Sequence, residues 1–504
     1  MADYWAGNAE WVYQRRDSQT STGTPGYFEG SSVRVSAGGT WYLFSRSKTA
    51  VFCSLGIVVR SSTDQGASWS APTQVVNHTA GTPYSCMATD GAPYYNSAAN
   101  KWVLMFQCYD GTSWKGCYAE RSGASPMGAF TPAATAKVTS GQLWDQICNQ
   151  PTDDCVSIPG AAGVVGDEGT WDIFDFDGTY YWVAFHGFDG TNGYRGIAKT
   201  TNFTTWIAGD PAQGVPTDAF FDRNDSQSWR ESWSSGQSIG GGHGSIYKEG
   251  SQYYQLIEGA DLTLNCVNNQ NWDFGLYRST SLSATSWTPI PAGNPVLYSG
   301  RAANEPGGNI MPCNLQYTSL FKDPTTGFIW MTYGRSSTAE PTTDALYWFR
   351  LEKTGNLLKN SDLWRANTDS YARTGTGTNW AVNRLPANSV DGTPYLSVNC
   401  GGTCGATNSV YQDVPFTPSG QTTVSASVKA LKESGTGNIA FTVFQLNSSG
   451  GVIKSDSYTI NATSAWSTYP LTGTLNSGTK TLRFQMYLNG NATFRVDDLS
   501  LRVS

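Results

Sequence analysis

Apolar and polar residues alternate along most of this chain with the two-residue period of β-strands, in short runs punctuated by Gly, Asp and Pro. Five times in order, a strand, a tight turn, a second strand and a third strand follow one another. The first unit begins Glu29-Gly-Ser-Ser-Val-Arg-Val, turns at Gly38-Gly39, returns as Trp41-Tyr-Leu-Phe and continues as Gly56-Ile-Val-Val-Arg60 to Trp69. Its counterparts begin at Asp90, Glu168, His243 and Tyr317, and the first four starts lie 61, 78 and 75 residues apart. A unit of this size cannot bury an apolar core alone, so repeats stack on their neighbours. The expectation is an all-β protein whose residues 1–353 form a five-bladed β-propeller. Tandem sandwiches would not repeat one strand order five times.

Near Lys353-Thr-Gly the repeat stops. A different series of alternating strands runs from Asn356-Leu-Leu-Lys-Asn-Ser-Asp362 to Val496-Asp-Asp-Leu-Ser-Leu501, and its length suits one β-sandwich of the jelly-roll type over residues 354–504. Sustained helical periodicity is absent, and the Ser-, Gly- and Gln-rich stretch 217–242 reads as a loop.

Composition narrows the functions available. The net charge is −7, and the 32 Lys and Arg residues are scattered singly, so no basic stripe exists to neutralise a nucleic-acid backbone. No run of eighteen apolar residues is present to span a membrane. The ten cysteines include three pairs close in sequence, Cys108/Cys117, Cys148/Cys155 and Cys400/Cys404. Cys53, Cys86, Cys266 and Cys313 remain for two longer bridges, whose pairing the sequence leaves open. With only three His and no CxxC, disulfides are the better reading than a metal site, and they imply an oxidising, secreted setting.

Three of the repeat starts are carboxylates, Glu29, Asp90 and Glu168; each is followed by Gly and each stands twelve residues before an aromatic, Trp41, Trp102 or Tyr180. Equivalent positions on the innermost strands of a radial fold converge on one opening. Clustered acids are what hydrolysis of a glycosidic bond requires, one to protonate the leaving oxygen and one to act as base or nucleophile. A third raises its neighbour's pKa by like-charge repulsion. Glu168 is the candidate acid, beside Asp167 and Trp171; Glu29 is the candidate base or nucleophile, and Asp90 the modulator and sugar-hydroxyl acceptor. Candidate substrate-binding residues are His243, Asp172 and the aromatics Trp171, Trp229, Trp233 and Trp272, whose rings suit the apolar faces of sugars. Trp380, Tyr395 and Trp466 are analogous candidates in the sandwich. No catalytic cofactor is expected, and a monomer acting on a polysaccharide or oligosaccharide is.

Five blades with acids on successive inner strands resemble the arabinanases, arabinofuranosidases and xylosidases of glycoside hydrolase family 43 and the related invertase-type fructan hydrolases. That family carries a first-blade Asp-Pro-x-hydrophobic motif, a third-blade Asp ahead of Phe-x-Asp-Asp-Asp-Gly, and a fourth-blade Glu-Gly-Pro that supplies the acid. Glu29 occupies the first-blade position, and Glu168 lies within one residue of the third-blade position ahead of Phe174-Asp-Phe-Asp-Gly178. The fourth-blade Glu is replaced by His243, so the resemblance implies an acid relocated to Glu168. It also implies an arabinose-containing substrate. The tail resembles the carbohydrate-binding modules appended to secreted polysaccharide hydrolases, which implies a structural calcium with Asp497 as a ligand.

Three other readings remain open. Ser62-Thr-Asp-Gln-Gly-Ala-Ser-Trp69 fits the Asp-box pattern found in sialidases, although that motif is a structural hairpin and a sialidase would also want an arginine triad and a Tyr nucleophile. A polysaccharide lyase would use Tyr or His as base against a uronate. A lectin-like binder would cleave nothing, and three mutually repelling acids argue against it.

Overall fold

The computed structural model describes residues 1–6, 9–18, 26–47, 52–147, 167–188, 193–216, 246–260, 272–282, 287–290, 315–335, 345–353, 357–358, 372–374, 380–383, 395–399, 408–416 and 418–504; for some residues at strand margins, Glu29, Glu168 and Trp272 among them, it describes the backbone alone. The chain divides into two compact units. One is Met1 with Trp11–Ile290 and Cys313–Leu351; the other is Ala2–Glu10 with Pro291–Pro312 and Glu352–Ser504.

The first unit is a five-bladed propeller. From the hub outward, blade one comprises Gly26–Val35, Trp41–Ser47, Ile57–Ser62 and Thr73–Val76, each antiparallel to the next. Blade three comprises Asp167–Phe176, Tyr181–Phe188, Gly193–Thr200 and Trp206–Ala208, and blade four Ile246–Glu249, Gln252–Ala260, Trp272–Ser279 and Thr288–Pro289. In blade two the inner strand is broken: Met87–Thr89 and Tyr94–Asn96 both pair with Lys101–Tyr109, while Gly91–Ala92 leaves to pair in parallel with Trp171 and Asp172 of blade three. Blade five comprises Leu315–Lys322, Ile329–Arg335 and Ala345–Lys353, and its outermost strand is Ala9–Ser18 from the other end of the chain. That closure was not visible in the repeat pattern, because Ala9–Ser18 lies ahead of the first complete unit.

The near-continuous apolar strands follow from packing on both faces of each blade. Along Lys101–Tyr109, Trp102, Leu104 and Phe106 join blade one's Tyr42 and Phe44, whereas Val103 and Met105 join blade three's Trp171 and Phe185. Ala184 and Ile197 of blade three then meet Ile246, Ile257 and Tyr277 of blade four. The Trp that closes each unit packs backward onto the preceding blade: Trp206 joins the cluster between blades two and three, and Trp287 that between three and four. Trp69 stacks on Trp348 of blade five, with centroids 5.7 Å apart.

The seam between blades one and five is the most aromatic. Trp41 lies edge-on to Phe321 and Trp330 at 5.1 and 4.9 Å and stacks on Trp348 at 5.5 Å. Asp17, on the N-terminal strand, accepts from Trp348 Nε1 at 2.7 Å and from Trp69 Nε1 at 3.1 Å. The Arg15 guanidinium sits over Trp348, 4.5 Å from its centroid.

The Asp-box is a self-bonded turn. Ser62 Oγ donates to Asp64 Oδ1 at 2.7 Å and accepts from Gly66 N at 2.7 Å, while Ser68 N and Oγ donate to Asp64 at 2.9 and 2.6 Å. Gln65 and Gly66 take φ of 58° and 77°, the left-handed pair that such a tight reversal needs. Two disulfides join described cysteines, Cys108–Cys117 and Cys53–Cys86. Cys148, Cys155, Cys266, Cys313, Cys400 and Cys404 lie outside the described residues. A short helix, Gln142–Ile147, which strand periodicity did not announce, buries Leu143, Trp144 and Ile147 against blade three.

The second unit is a β-sandwich of two five-stranded sheets. One orders Ala372–Thr374, Ser409–Pro415, Thr481–Asn489, Asn438–Leu446 and Val452–Ile460; the other orders Trp380–Asn383, Tyr395–Asn399, Ala492–Val503, Thr423–Gly435 and Ser467–Thr474. Alternate residues such as Val424, Ala426, Val428 and Ala430 face a shared core with Ile439, Phe441, Phe484 and Phe494. Asp497 is fully buried in Ala492–Val503, opposite Lys429. Among the described residues, no group of three His, Cys, Asp or Glu stands close enough to hold a metal ion. Trp466 is half-buried, and the side chains of Trp380 and Tyr395 are outside the description.

Two outcomes test this packing. Trp348→Ala is expected to cost about 3–5 kcal/mol, measured by urea unfolding of the whole protein, because it empties the closing seam. Hydrogen bonds from Ser68 and Ser62 hold the Asp64 carboxyl down at about 2. The native state therefore favours the ionised form, and that stabilisation is present above the unfolded value of about 4 and lost as pH falls through about 2. The stability advantage of the parent over Asp64→Asn should accordingly shrink between pH 5 and pH 2, read from paired unfolding midpoints (~ the window set by those two values).

Candidate active site

The inner strands share a backbone kink that gathers the site. Gly30, Asp90, Thr170 and Tyr317 have φ of 68°, 46°, 43° and 54°, in the left-handed region that L-residues other than Gly rarely adopt. In blades one, three and five the kink falls where strand register slips, between Tyr27 and Ser32, Gly169 and Asp172, and Gln316 and Ser319. In blade two it falls where the inner strand breaks after Thr89. Holding a β-branched Thr in this conformation costs on the order of 1–3 kcal/mol, so the surrounding bonds must enforce it.

Those bonds are polar; Thr170 is held within its own blade, whereas Asp90 and Tyr317 are held by bonds that cross between blades. Asp90 is 3% exposed, and its carboxylate takes a bidentate pair from Arg46 of blade one, with Nε to Oδ1 at 2.7 Å and Nη2 to Oδ2. Thr89 Oγ1 also donates to Asp90 Oδ1, at 2.9 Å. Arg46 Nη2 reaches the Tyr317 hydroxyl of blade five at 3.0 Å, which in turn lies 3.5 Å from Asp90 Oδ2. Gly30 must be glycine, since a Cβ there would stand 2.1 Å from Asp90 Oδ1. Blades one, two and five are thus locked at a single carboxylate.

A second set of bonds links blades three, four and five. The Tyr317 N–H donates to Glu258 Oε1 at 2.6 Å, fixing the blade-five kink from blade four. Thr170 Oγ1 lies 2.7 Å from His186 Nδ1 and accepts from Arg195 Nη1 at 3.3 Å. Burial lowers the Arg195 pKa to about 10 against the opposing pull of Glu258 and Asp172. Farther along the inner strands, Arg34 of blade one reaches past blade two to Asp172 of blade three, Nη2 to Oδ1 at 2.6 Å, and donates through Nε to Pro93 O at 2.6 Å. Burial raises the Asp172 carboxyl, while Arg34 and the Ile246 N–H hold it down in part.

Several sequence expectations change. Glu29, Asp90 and Glu168 do not occupy one structural register: Glu29 is the residue before its kink, Asp90 is the kink itself, and Glu168 stands two before Thr170. The offset in blade three arises because Tyr180 belongs to the turn, bonded through its carbonyl to Asp177 N, so the second strand starts only at Tyr181. Trp171 is not a sugar platform. It is fully buried, stacked on Phe185 at 5.5 Å, and would lie 2.6 Å from a Cβ placed on Gly116. Asp172 is not a free acceptor, because Arg34 and the Ile246 N–H already hold its buried carboxylate.

Glu29 and Glu168 have described backbones, paired in the case of Glu168 with Gly187. Trp272 opens the third strand of blade four opposite Ala260. His243, Trp229 and Trp233 lie outside the described residues. Arg46, Glu258, His186 and Arg195 escaped the sequence reading, in which Tyr317 figured only as the start of the fifth repeat. Their available signal was a charged or polar residue inside an otherwise apolar strand, as in Leu256-Ile-Glu258 or Phe44-Ser-Arg46.

No family model matches the chain, and no curated protein is found similar to it. Among solved structures, it is similar to an exo-β-1,3-galactanase from Phanerochaete chrysosporium with β-1,3-galactotriose, at 13% identity over 97% of this chain and 100% of that one, with a TM-score of 0.44. It is similar to a family 43 arabinoxylan arabinofuranohydrolase from Bacillus subtilis at 12% identity, over 94% and 95% of the two chains, with a TM-score of 0.40. An endo-1,4-β-xylanase from Bacteroides thetaiotaomicron shows 14% identity over 64% of this chain and 89% of that one, with a TM-score of 0.40. The five sheets and their cyclic packing define the fold independently of these likenesses.

Arg46→Met should leave the Asp90 carboxylate buried without its guanidinium and cost about 3–5 kcal/mol in urea unfolding of the whole protein. A loss below 1 kcal/mol (~ the scale of an exposed pair) would contradict the buried clamp.

Proposed function

We propose that the protein is a secreted glycoside hydrolase working at the mouth of the propeller hub. Glu168 is assigned as general acid, Glu29 as base or nucleophile, and Asp90 as the fixed charge that tunes them. One observation carries this reading: the three acids fall at, or within two residues before, a shared kink in the first half of three neighbouring inner strands. Acids so gathered suit an acetal, whose cleavage needs proton donation on one side and a carboxylate or activated water on the other. Asp90, clamped by Arg46, is better suited to shaping the local field than to exchanging a proton with substrate.

Among the described residues, the charge balance of the hub favours a neutral glycan. Arg46 and Arg34 are paired with Asp90 and Asp172, and Arg195 is balanced by Glu258 and Asp172. A sialic-acid site would instead keep arginines free for the substrate carboxylate. Arabinose-containing glycans are the proposed substrate class by the family resemblance, and the sandwich is proposed to hold the polymer. The Cys53–Cys86 and Cys108–Cys117 bridges support an extracellular setting. A second reading, a polysaccharide lyase, is favoured by one contact, the Tyr317 hydroxyl 3.0 Å from Arg46.

Reducing-end release from arabinan, arabinoxylan, arabinogalactan and β-1,3-galactan tests the proposal. Glu29→Gln and Glu168→Gln should each lower kcat by roughly 10²–10⁴ with unchanged unfolding midpoints. Full hydrolysis by both variants would sink the assignment. Ultraviolet absorbance from a new double bond, abolished by Tyr317→Phe, would instead establish the lyase.

A further inference from the structure

The end of blade two that opens beside the candidate acids carries an aromatic pair with no structural task assigned so far. Tyr109 ends the second strand and Trp114 begins the third; they are cross-strand partners, and their rings stack with centroids 4.7 Å apart. Both are only partly buried, unlike Trp102, Trp144 and Trp171 of the blade interiors. Among the described residues, no recorded hydrogen bond uses the Tyr109 hydroxyl or the Trp114 indole N–H.

Strand alternation places this pair. On Lys101–Tyr109, the face carrying Val103 and Met105 packs toward blade three, and Gln107 on that face lies against Gly169, where an added Cβ would come within 2.5 Å. Tyr109 is the next residue on the same face, about 7 Å farther toward the mouth. Gly169 directly follows Glu168, so alternation puts Tyr109 on the face of blade two that packs toward the strand carrying the candidate acid.

The pair is also held rigidly. Cys108–Cys117 ties the two strands that bear it, and Cys53–Cys86 ties blade one to the start of blade two's inner strand. The Cys86 N–H donates to Tyr109 O at 3.0 Å, and Ser85 Oγ to Asp110 O at 3.3 Å. In the turn, Asp110 accepts from Thr112 N and Ser113 N at 2.8 and 3.0 Å and pairs with Lys115. Two disulfides and a closed turn fix a partly exposed aromatic surface before any ligand arrives, which lowers the ordering cost of binding.

We propose that Tyr109 and Trp114 form a sugar-stacking subsite beyond the two positions joined by the scissile bond, one that receives a pyranose or furanose ring of the polymer. The subsite rests on the hydrolase reading. Ring stacking would use the apolar C–H face of the sugar, and the free hydroxyl and indole N–H would meet its hydroxyl groups. A subsite outside the bond-breaking position contributes to polymer affinity and leaves a monosaccharide aryl glycoside unaffected.

The test compares the whole protein with Trp114→Ala and Trp114→Phe on a linear oligosaccharide of the cleaved polymer and on the p-nitrophenyl glycoside of its terminal sugar. Trp114→Ala should raise KM for the oligosaccharide roughly five- to tenfold, an effect of the size expected for one aromatic stack. Its kinetics on the aryl glycoside should stay within twofold (~ experimental scatter) of the parent, and Trp114→Phe should recover most of the loss. Equal losses on both substrates, or none on either, overturn the subsite. If the parent hydrolyses no glycan, the hydrolase reading fails, and oligosaccharide binding by calorimetry decides the subsite alone. Weaker binding by Trp114→Ala then supports it, and unchanged binding rejects it.

Discussion

The propeller depends on strands that are apolar on both faces. A blade between two others has no solvent side, so every residue of a middle strand needs a neighbour to bury against. Lys101–Tyr109 meets this demand by sending Trp102, Leu104 and Phe106 one way and Val103 and Met105 the other. Only a closed ring satisfies it for all five blades, since an open stack would expose a face at each end. The seam between blades one and five is where that requirement is met last, and it is filled with Trp41, Trp330 and Trp348. The Asp17 carboxylate gives Trp69 and Trp348 their acceptor without interrupting the apolar contact.

A ring also imposes a crowded axis, and the kinks are the answer to that crowding. At Gly30 the absence of a Cβ admits the Asp90 carboxylate. At Asp90 and Tyr317 side chains with Cβ atoms are held in left-handed backbone by hydrogen bonds from other blades, and at Thr170 by His186 and Arg195 of its own blade. The price of buried charge is met by pairing among the described residues, Arg46 with Asp90 and Arg34 with Asp172, while Glu258 and Asp172 offset Arg195. Structure and chemistry therefore share the same residues: the bonds that keep the blades in register also set the charges around the mouth.

The blades were legible because their signal is local. Period-two alternation, Gly-Gly and Asp-Gly turns and a closing Trp all lie within a few residues of one another, and the strands of blades one, three and five follow that pattern. The Asp-box was legible for the same reason, since Ser62, Asp64 and Ser68 bond within one turn. What the sequence hid was non-local. Ala9–Ser18 reads as an unplaced strand until Ala345–Lys353 supplies its partner. Arg46 is one of many singly scattered cations in the sequence, and its partner Asp90 lies 44 residues away. Trp171 fits both a sugar platform and a core, and its burial against Phe185 and Gly116 decides for the core.

The N-terminal strand completes the blade formed by the last repeat, and this orders events in time. Ala9–Ser18 is made before its partner Ala345–Lys353, which follows more than three hundred residues later. Until then the Trp-rich seam stays open and the blades lack their final constraint. Pairings so distant in sequence form slowly, because loop closure precedes the reward of contact. The finished ring gains from the same arrangement, since opening it from either terminus must first break the bond network of Asp17 and the stacked indoles around it.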